Sequence, residues 1–401
     1  MNFECSILLL TSHCEPKIKN PMKMNTLFIF LISFASIFSC KQNSSPEKAG
    51  DPVNATPIKK TTIKPVTLYE GFSNPWGMVW LPDGRLLVTE KSGKILIFKD
   101  DKYTNQEISG VPTVNSNGQG GLLDIQLHPK YEENGWIYFA YSKPMTGGSA
   151  TAIMRAKLDG NQLVQKQDVF VAGPTLSAGH HFGSRIAFDN DGYLYIVAGE
   201  RGTNEKVQSL SNDLGKIHRV FDDGRVPTDN PFVNEPNAKA SIWSYGHRNP
   251  QGMVFDKEKN RLWAVEHGPK GGDELNLIEK GKNYGWPIVT YGTGYDGSTI
   301  SDKTEMEGVQ NPVKYWVPSP APCGMLLVTS DKYPGWKGNL LIANLSFRFL
   351  NRIELNGTKF ASEEKLLENF ARMRHVAQSP DGFIYIITEG PGKLVKLMPE
   401  N

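Results

Sequence analysis

A unit that recurs six times constrains this 401-residue chain more than any other feature in it. From residue 66 onward a polar turn leads into a short strand rich in β-branched and aromatic residues, and the pattern then repeats. It reads WLPDGRLLVTE at 80–90, LHPKYEENGWIYFAY at 127–141, FDNDGYLYIVAGE at 188–200, FDKEKNRLWAVEHG at 255–268, YPGWKGNLLIANL at 333–345 and SPDGFIYIITEG at 379–390. Copies about 45 to 70 residues apart leave room for one four-stranded sheet each, the repeat length of a propeller blade. Asp-Gly and Asn-Gly steps set the hairpins, and the alternation of Tyr193, Tyr195 and Val197 suits a sheet packed on both faces. Amphipathic helical patterns are scarce. A ring of sheets buries its faces only against one another, so the pattern predicts one all-β domain, a six-bladed β-propeller. The competing architecture, a pair of β-sandwiches, would show shorter and more even strand spacing.

The first 65 residues stand outside that pattern. Lys19 and Lys23 precede an apolar run, LFIFLISFASIF at 27–38, that stops at Ser39-Cys40. This is the shape of a signal peptide, and it is too short to span a membrane. Met22 and Met24 are candidate starts, and the end IFSC resembles a bacterial lipobox with Cys40 as the lipidated residue. Residues 1–40 are then a leader and 41–65 a flexible tether, rich in Lys, Pro, Ser and Thr. Residues 66–401 are the folded domain. This reading places the protein in the periplasm or at the outer membrane, touching lipid only through an anchor at Cys40. A plain secretory signal with an incidental cysteine is the alternative.

Of the four cysteines, Cys5, Cys14 and Cys40 belong to the leader, which leaves Cys323 alone in the domain. No internal disulfide, zinc ribbon or dithiol motif is available. The formal charge of +2 carries no basic stripe interleaved with aromatics, which argues against nucleic acid as a partner.

Residues fit for chemistry cluster around the repeats. NGQGGLLDIQLHP sets Gln119 among glycines, which admit close backbone approach beside a side chain that both donates and accepts; it is equally an ordinary turn. SAGHHFGSR, at 177–185, offers His181 as a group that titrates near neutrality, or as a satisfied polar residue. A two-histidine metal site is disfavoured, because neighbours on an extended segment point to opposite sides. SIWSYGHRNPQGMVF holds Arg248 and Asn249 in a rigid turn, suited to a carboxylate or a developing oxyanion, or to tying two loops. EHGPKGGDELNLIEKGKNYGWP can turn the Gly268 and Pro269 carbonyls toward a hard cation, with Asp273, Glu274 and Tyr284 as further oxygens. No EF-hand spacing is present, and a polar loop capped by acids reads as well. ARMRHVAQSPDG puts Arg372 and Arg374 on one face of an extended segment, as for a ligand with more than one carboxylate or phosphate, or as a solvated basic edge.

Taken in order, NPWGMVWLPDGRLLVTEKSGKI, GQGGLLDIQLHP, LGKIHRVFDDGRVPTDNPF, SYGHRNPQG, EHGPKGGDELN, NYGWP and RMRHVAQSPDG resemble the soluble glucose dehydrogenase and aldose sugar dehydrogenase family, over residues 70 to 397. The resemblance implies a six-bladed propeller that uses pyrroloquinoline quinone and calcium to oxidise aldoses at the anomeric carbon to lactones, with an unidentified electron acceptor. It implies that His181 is the general base and that Arg248 stabilises charge developing on the quinone oxygen. Gln119 and Asn249 would contact the cofactor, and Arg372 and Arg374 would pair with its carboxylates. Gly268 and Pro269 would bind calcium, Asp273 would face the sugar, and Glu274 with Tyr284 would match a second calcium site.

Two departures stand out. Family members commonly carry a lysine after the fifth strand unit, where this chain has Ser346 with Arg348 two residues on. Glucose-oxidising members have an acidic residue beside the base, where this chain has His180. Two rival readings keep the architecture: a calcium-dependent lactonase, which needs carboxylate and amide ligands at the channel centre, and a non-catalytic propeller that binds carbohydrate or protein partners.

Overall fold

The computed structural model describes residues 61–400, so the leader, the Cys40 anchor and most of the tether lie outside the described residues. Within them the chain forms six four-stranded antiparallel sheets and almost no helix. The six-bladed propeller expected from the repeats is the fold observed.

Each blade starts with an inner strand: Pro75–Trp80, Leu122–Leu127, Gly183–Phe188, Pro250–Asp256, Pro322–Leu327 and Arg372–Gln378. Every inner strand packs on the next around the axis, and the last packs on the first. The recurring unit supplies the turn and the second strand of each blade, Leu86–Glu90 in the first and Ile384–Glu389 in the sixth. The ring closes by mixing chain ends, because Thr62–Phe72 pairs antiparallel with Gly392–Glu400 at the outer edge of the sixth sheet. Residues 62–65, read from composition as tether, therefore belong to the ring.

The core lies between blades. Six apolar clusters each join neighbouring sheets, as where Leu87, Ile95 and Ile97 of the first blade meet Ile125, Ile137 and Phe139 of the second. Each fully buried side chain of this size contributes about 1.5–3 kcal/mol, which ties the blades to one another with no staple. A seventh, small cluster of Trp76, Leu123 and Phe182 sits by the axis at the start of three inner strands.

All six inner strands carry an irregularity near their first residues, for example between Pro250 and Gly252 and between Met373 and His375. The others fall at Pro75/Met78, Leu122/Ile125, Gly183/Ile186 and Pro322/Met325. A bulge bends the strand and re-aims its side chains. Six of them at one end of the channel turn the strand starts into a mouth.

Candidate active site

Gln119, His181, Arg248, Asn249, Arg372 and Arg374 gather at that mouth because they precede or begin inner strands. The Gln119 turn and the histidine turn lock together first. Gly118 is in the left-handed region (φ +59°), and a Cβ there would lie 2.2 Å from the carbonyl oxygen of Gly179, so only glycine fits. The Gln119 N–H donates to the same carbonyl at 2.7 Å, and the His181 N–H donates to Gln119 Oε1 at 2.9 Å.

His181 is itself left-handed, at φ +53°. The premise of an extended segment therefore fails, and the His180 and His181 rings meet edge to face with centroids 4.6 Å apart instead of pointing apart. Among the described residues no three His, Cys, Asp or Glu side chains converge on one point.

The acid that orients His181 is not its neighbour in sequence. Nδ1 of His181 lies 2.5 Å from Oε1 of Glu200, which closes the third strand unit. The other oxygen of Glu200 accepts the Gly202 and Thr203 N–H groups. Burial pushes the Glu200 carboxyl up, but the His181 hydrogen bond and the charges of His181 and Arg248 outweigh it and hold it below its ordinary value. Burial pushes the His181 imidazole down, and Arg248 adds to this, while Glu200 opposes both; the net is downward.

Arg248 is held in place at both ends. Its N–H donates to Glu266 Oε2 at 2.8 Å, and its Nη1 donates to the carbonyls of His267 at 3.1 Å and Gly268 at 3.0 Å. Asn249 Oδ1 accepts from Gly183 N–H at 3.1 Å and from Gln251 Nε2 at 3.3 Å, whereas its Nδ2 is buried without a protein acceptor. On the sixth blade, Arg374 Nε lies 2.7 Å from Glu389 Oε1 and Arg372 Nη2 lies 3.6 Å from Glu389 Oε2. The two guanidinium groups thus share a face and one carboxylate. A cavity of about 250 Å³ opens among Trp76, Lys91, Gln119, Gln251, Arg372, Arg374 and Glu389.

The remaining candidates are drawn elsewhere. Asp273, expected toward a sugar, is fully buried; its oxygens accept Gly268 N–H at 2.7 Å, Ser319 Oγ at 2.6 Å and Ala321 N–H at 2.9 Å. It ties the Gly268 loop to the next blade, and burial raises its carboxyl to about 6. The Tyr284 hydroxyl donates to Leu277 O at 2.5 Å and accepts from Glu279 N–H at 2.9 Å, so backbone groups occupy it. Glu274 faces Glu266 across two paired strands, and Asn276 Nδ2 donates to both carboxylates at 3.0 Å. Pro269 is buried beside Gly268. Ser346 donates its N–H to Pro320 O at 3.0 Å, and Arg348 is exposed on a left-handed turn at φ +56°.

Sequence reasoning missed the glutamates. Glu90, Glu200, Glu266 and Glu389 each stand at or just past the end of a second strand, and each bonds to a residue at an inner-strand entrance, Glu90 through the Ser73 N–H at 2.6 Å. The signal was present as a Glu at or near the end of four recurring units. Gln251, one residue beyond the Arg-Asn-Pro turn, was also missed. It donates to Gly183 O at 3.1 Å and accepts from Arg374 Nη1 at 3.1 Å, joining three blades.

The far halves of the same inner strands enclose another cavity of about 520 Å³, lined by Met78, Met253 and Met325 among others. Between the two, Arg185 Nη1 meets Asp124 Oδ1 at 2.8 Å and the guanidinium stacks 4.0 Å over Trp76. That buried pair lines the larger cavity, and through Trp76 it adjoins the cavity at the mouth.

Comparison with known proteins agrees with this fold. The family model described as glucose/sorbosone dehydrogenase matches residues 72–396. The chain is 40% identical over 348 residues to aldose sugar dehydrogenase YliI of Escherichia coli, covering 85% of this chain and 94% of that one. It is similar in structure to the soluble aldose sugar dehydrogenase of Escherichia coli, with TM-score 0.81 and 38% identity over 84% of this chain and 100% of that one. It also resembles the pyrroloquinoline-quinone-bound form of an aldose sugar dehydrogenase from Streptomyces coelicolor, with TM-score 0.70 and 31% identity over 85% of this chain and 99% of that one.

Proposed function

The chain belongs to the glucose/sorbosone dehydrogenase family, a family of oxidoreductases, and from that premise we propose that it oxidises an aldose at the anomeric carbon to the lactone, using pyrroloquinoline quinone and calcium at the channel mouth. The observation that carries the reading is the His181–Glu200 pair, with His181 on the turn whose next residues, Phe182 and Gly183, line a cavity walled by Arg372 and Arg374.

The residues present fit such a group. Two guanidinium groups share one carboxylate, leaving a positive excess for a ligand that carries several carboxylates. The buried Nδ2 of Asn249 lacks an acceptor, and a ligand oxygen would supply one. The Gly268 carbonyl already faces the Arg248 cation, so its lone pairs are aimed where positive charge is favoured. Calcium would be held by the Gly268 and Pro269 carbonyls together with the cofactor's own oxygens. When bound, the quinone supplies the hydride acceptor and calcium makes that acceptor more electrophilic.

The chain's part is to position groups and move a proton. Glu200 keeps the His181 proton on Nδ1, which leaves Nε2 to accept the proton of the anomeric hydroxyl. The depressed His181 keeps the ring neutral, and so competent as a base, at neutral pH. Arg248, fixed by Glu266, offers positive charge to an oxygen that becomes anionic. Gln119 braces the His181 backbone and borders the same cavity.

The lactonase reading needs convergent carboxylates on the axis; the self-paired Asp124–Arg185 gives it little support. The test is reconstitution of the full chain with calcium and pyrroloquinoline quinone, followed by dye reduction with a panel of aldoses. Sugar-dependent reduction is expected. If no cofactor binds and no sugar is oxidised, the reading is lost and a binding propeller takes its place. Export and anchoring at Cys40 complete the proposal, and Cys40→Ser should release the protein from the membrane fraction; a variant still in that fraction counts against the anchor.

A further inference from the structure

Three cations, not two, border the mouth cavity. Lys91 sits on the turn after the strand Leu86–Glu90 of the first blade and lines the cavity together with Arg372 and Arg374 of the adjoining sixth blade. The only carboxylate lining it is Glu389. The local charge of three positive groups against one negative is therefore unbalanced among the described residues.

Lys91 is held there by its backbone. Its N–H donates to Asn74 O at 3.0 Å, and its carbonyl accepts from Leu122 N–H at 3.2 Å. A Cβ on Gly121 would lie 2.6 Å from the Lys91 Cα, so the glycine turn that carries Gln119 is moulded on this residue. One donor of its ammonium goes to Gly118 O at 2.5 Å, and an ammonium has three. Burial lowers the Lys91 ammonium and the like charge of Arg374 lowers it further, with Glu389 opposing, so Lys91 and Arg374 repel at close range in the ligand-free cavity.

We infer that Lys91 is a ligand-binding residue, its ammonium pairing with a carboxylate of the bound ligand at the part of the cavity wall that the first blade supplies, beside Arg372 and Arg374. The inference deepens the proposed function and rests on its reading of the cavity as a polycarboxylate site. It also gives this chain a lysine at the mouth although Ser346 occupies the position after the fifth strand unit, and it takes that lysine from a different blade. Exposed Arg348 is not needed.

The experiment is direct binding to the full chain with calcium, read by quenching of tryptophan fluorescence, with pyrroloquinoline quinone as one probe and citrate as the other. Lys91→Gln should bind the quinone about tenfold more weakly, the loss of one charge-assisted contact. Without ligand its melting temperature should stay level or rise, because a repulsion has gone. Lys91→Arg should regain most of the affinity. Quinone binding by Lys91→Gln within twofold of the wild type overturns the inference. So does a loss of affinity together with a lower ligand-free melting temperature, since that is what a residue merely bracing Gly118 would give. If the wild type binds citrate but not the quinone, and Lys91→Gln weakens citrate, Lys91 keeps its role and the quinone reading fails. If the wild type binds neither probe, both fall.

Discussion

His181 with Glu200 and His247 with Glu266 are the same two residue types at similar separations, 2.5 and 2.9 Å, on adjacent blades. Their second ring nitrogens part them. Nε2 of His247 meets Ser244 Oγ at 2.9 Å, its ring stacks on Tyr284 with centroids 4.5 Å apart, and it has 0% of its surface exposed. His181 keeps 13% of its side chain exposed, and among the described residues nothing bonds to its Nε2. A histidine with both nitrogens engaged is a strut, while one with a single nitrogen engaged is an oriented base. Residue type and spacing cannot tell them apart; the third partner does.

The sharpest way to break the contrast is to remove each imidazole. His181→Gln should lower turnover about 10³-fold, the range of a lost general base, with quinone affinity changed only a few-fold by direct titration. Lost binding with intact turnover per bound cofactor would make His181 a holder instead. His247→Leu should show the reverse. It removes one of the buried hydrogen bonds of Glu266, at a cost of about 2 kcal/mol in urea unfolding, while turnover per folded molecule drops less than tenfold. Equal losses of activity in both variants would erase the distinction.

Glu200→Gln tests the orienting carboxylate with a smaller effect, about 10²-fold on kcat with KM little changed. The sign of its pH effect is fixed by what Glu200 does now. It raises His181 against burial and Arg248, so its removal should move the acid limb of kcat/KM to lower pH. A limb that stays in place or moves up would mean that Glu200 has only a structural role.

How much of this was legible follows from what sequence encodes locally. The blades were, because turn, strand and alternation are short-range signals that recur six times, as in SPDGFIYIITEG. The entrance residues Gln119, His181, Arg248, Asn249, Arg372 and Arg374 were legible as motifs. Their convergence was not, since it depends on the ring closing and on a bulge in every inner strand. Glu200 and Glu389 were in plain view at the ends of strands, but a carboxylate there gains its meaning only from the inner-strand entrance folded against it, His181 for Glu200 and Arg372 with Arg374 for Glu389. Asp273 shows the opposite failure: its place in a conspicuous loop suggested a ligand contact, and three hydrogen-bond donors from two loops hold it as a tie instead. His180 looked like a displaced acid, whereas the acid comes from a strand 20 residues further along.

The smallest effect concerns what lies behind the strut. Glu266 faces Glu274 across the sheet, and burial together with the Glu266 charge raises the Glu274 carboxyl to about 8. Between its ordinary value and that one the folded chain holds a proton that the unfolded chain has released. Stability must therefore fall as pH rises through this window, since the folded state binds more protons. Glu274→Gln is neutral throughout, so the variant should match the wild type near pH 5 and exceed it above pH 8. The gain should be about 1 kcal/mol, once solvent screening of a half-buried group is allowed for. Calcium sharpens the case, because two facing carboxylates would form part of a cation site once both are ionised. Millimolar calcium should then raise the melting temperature of the wild type at pH 8 more than that of Glu274→Gln. An equal response in the two proteins would place any structural calcium elsewhere and leave Glu266 alone as the acceptor that holds His247 and the Arg248 backbone in place.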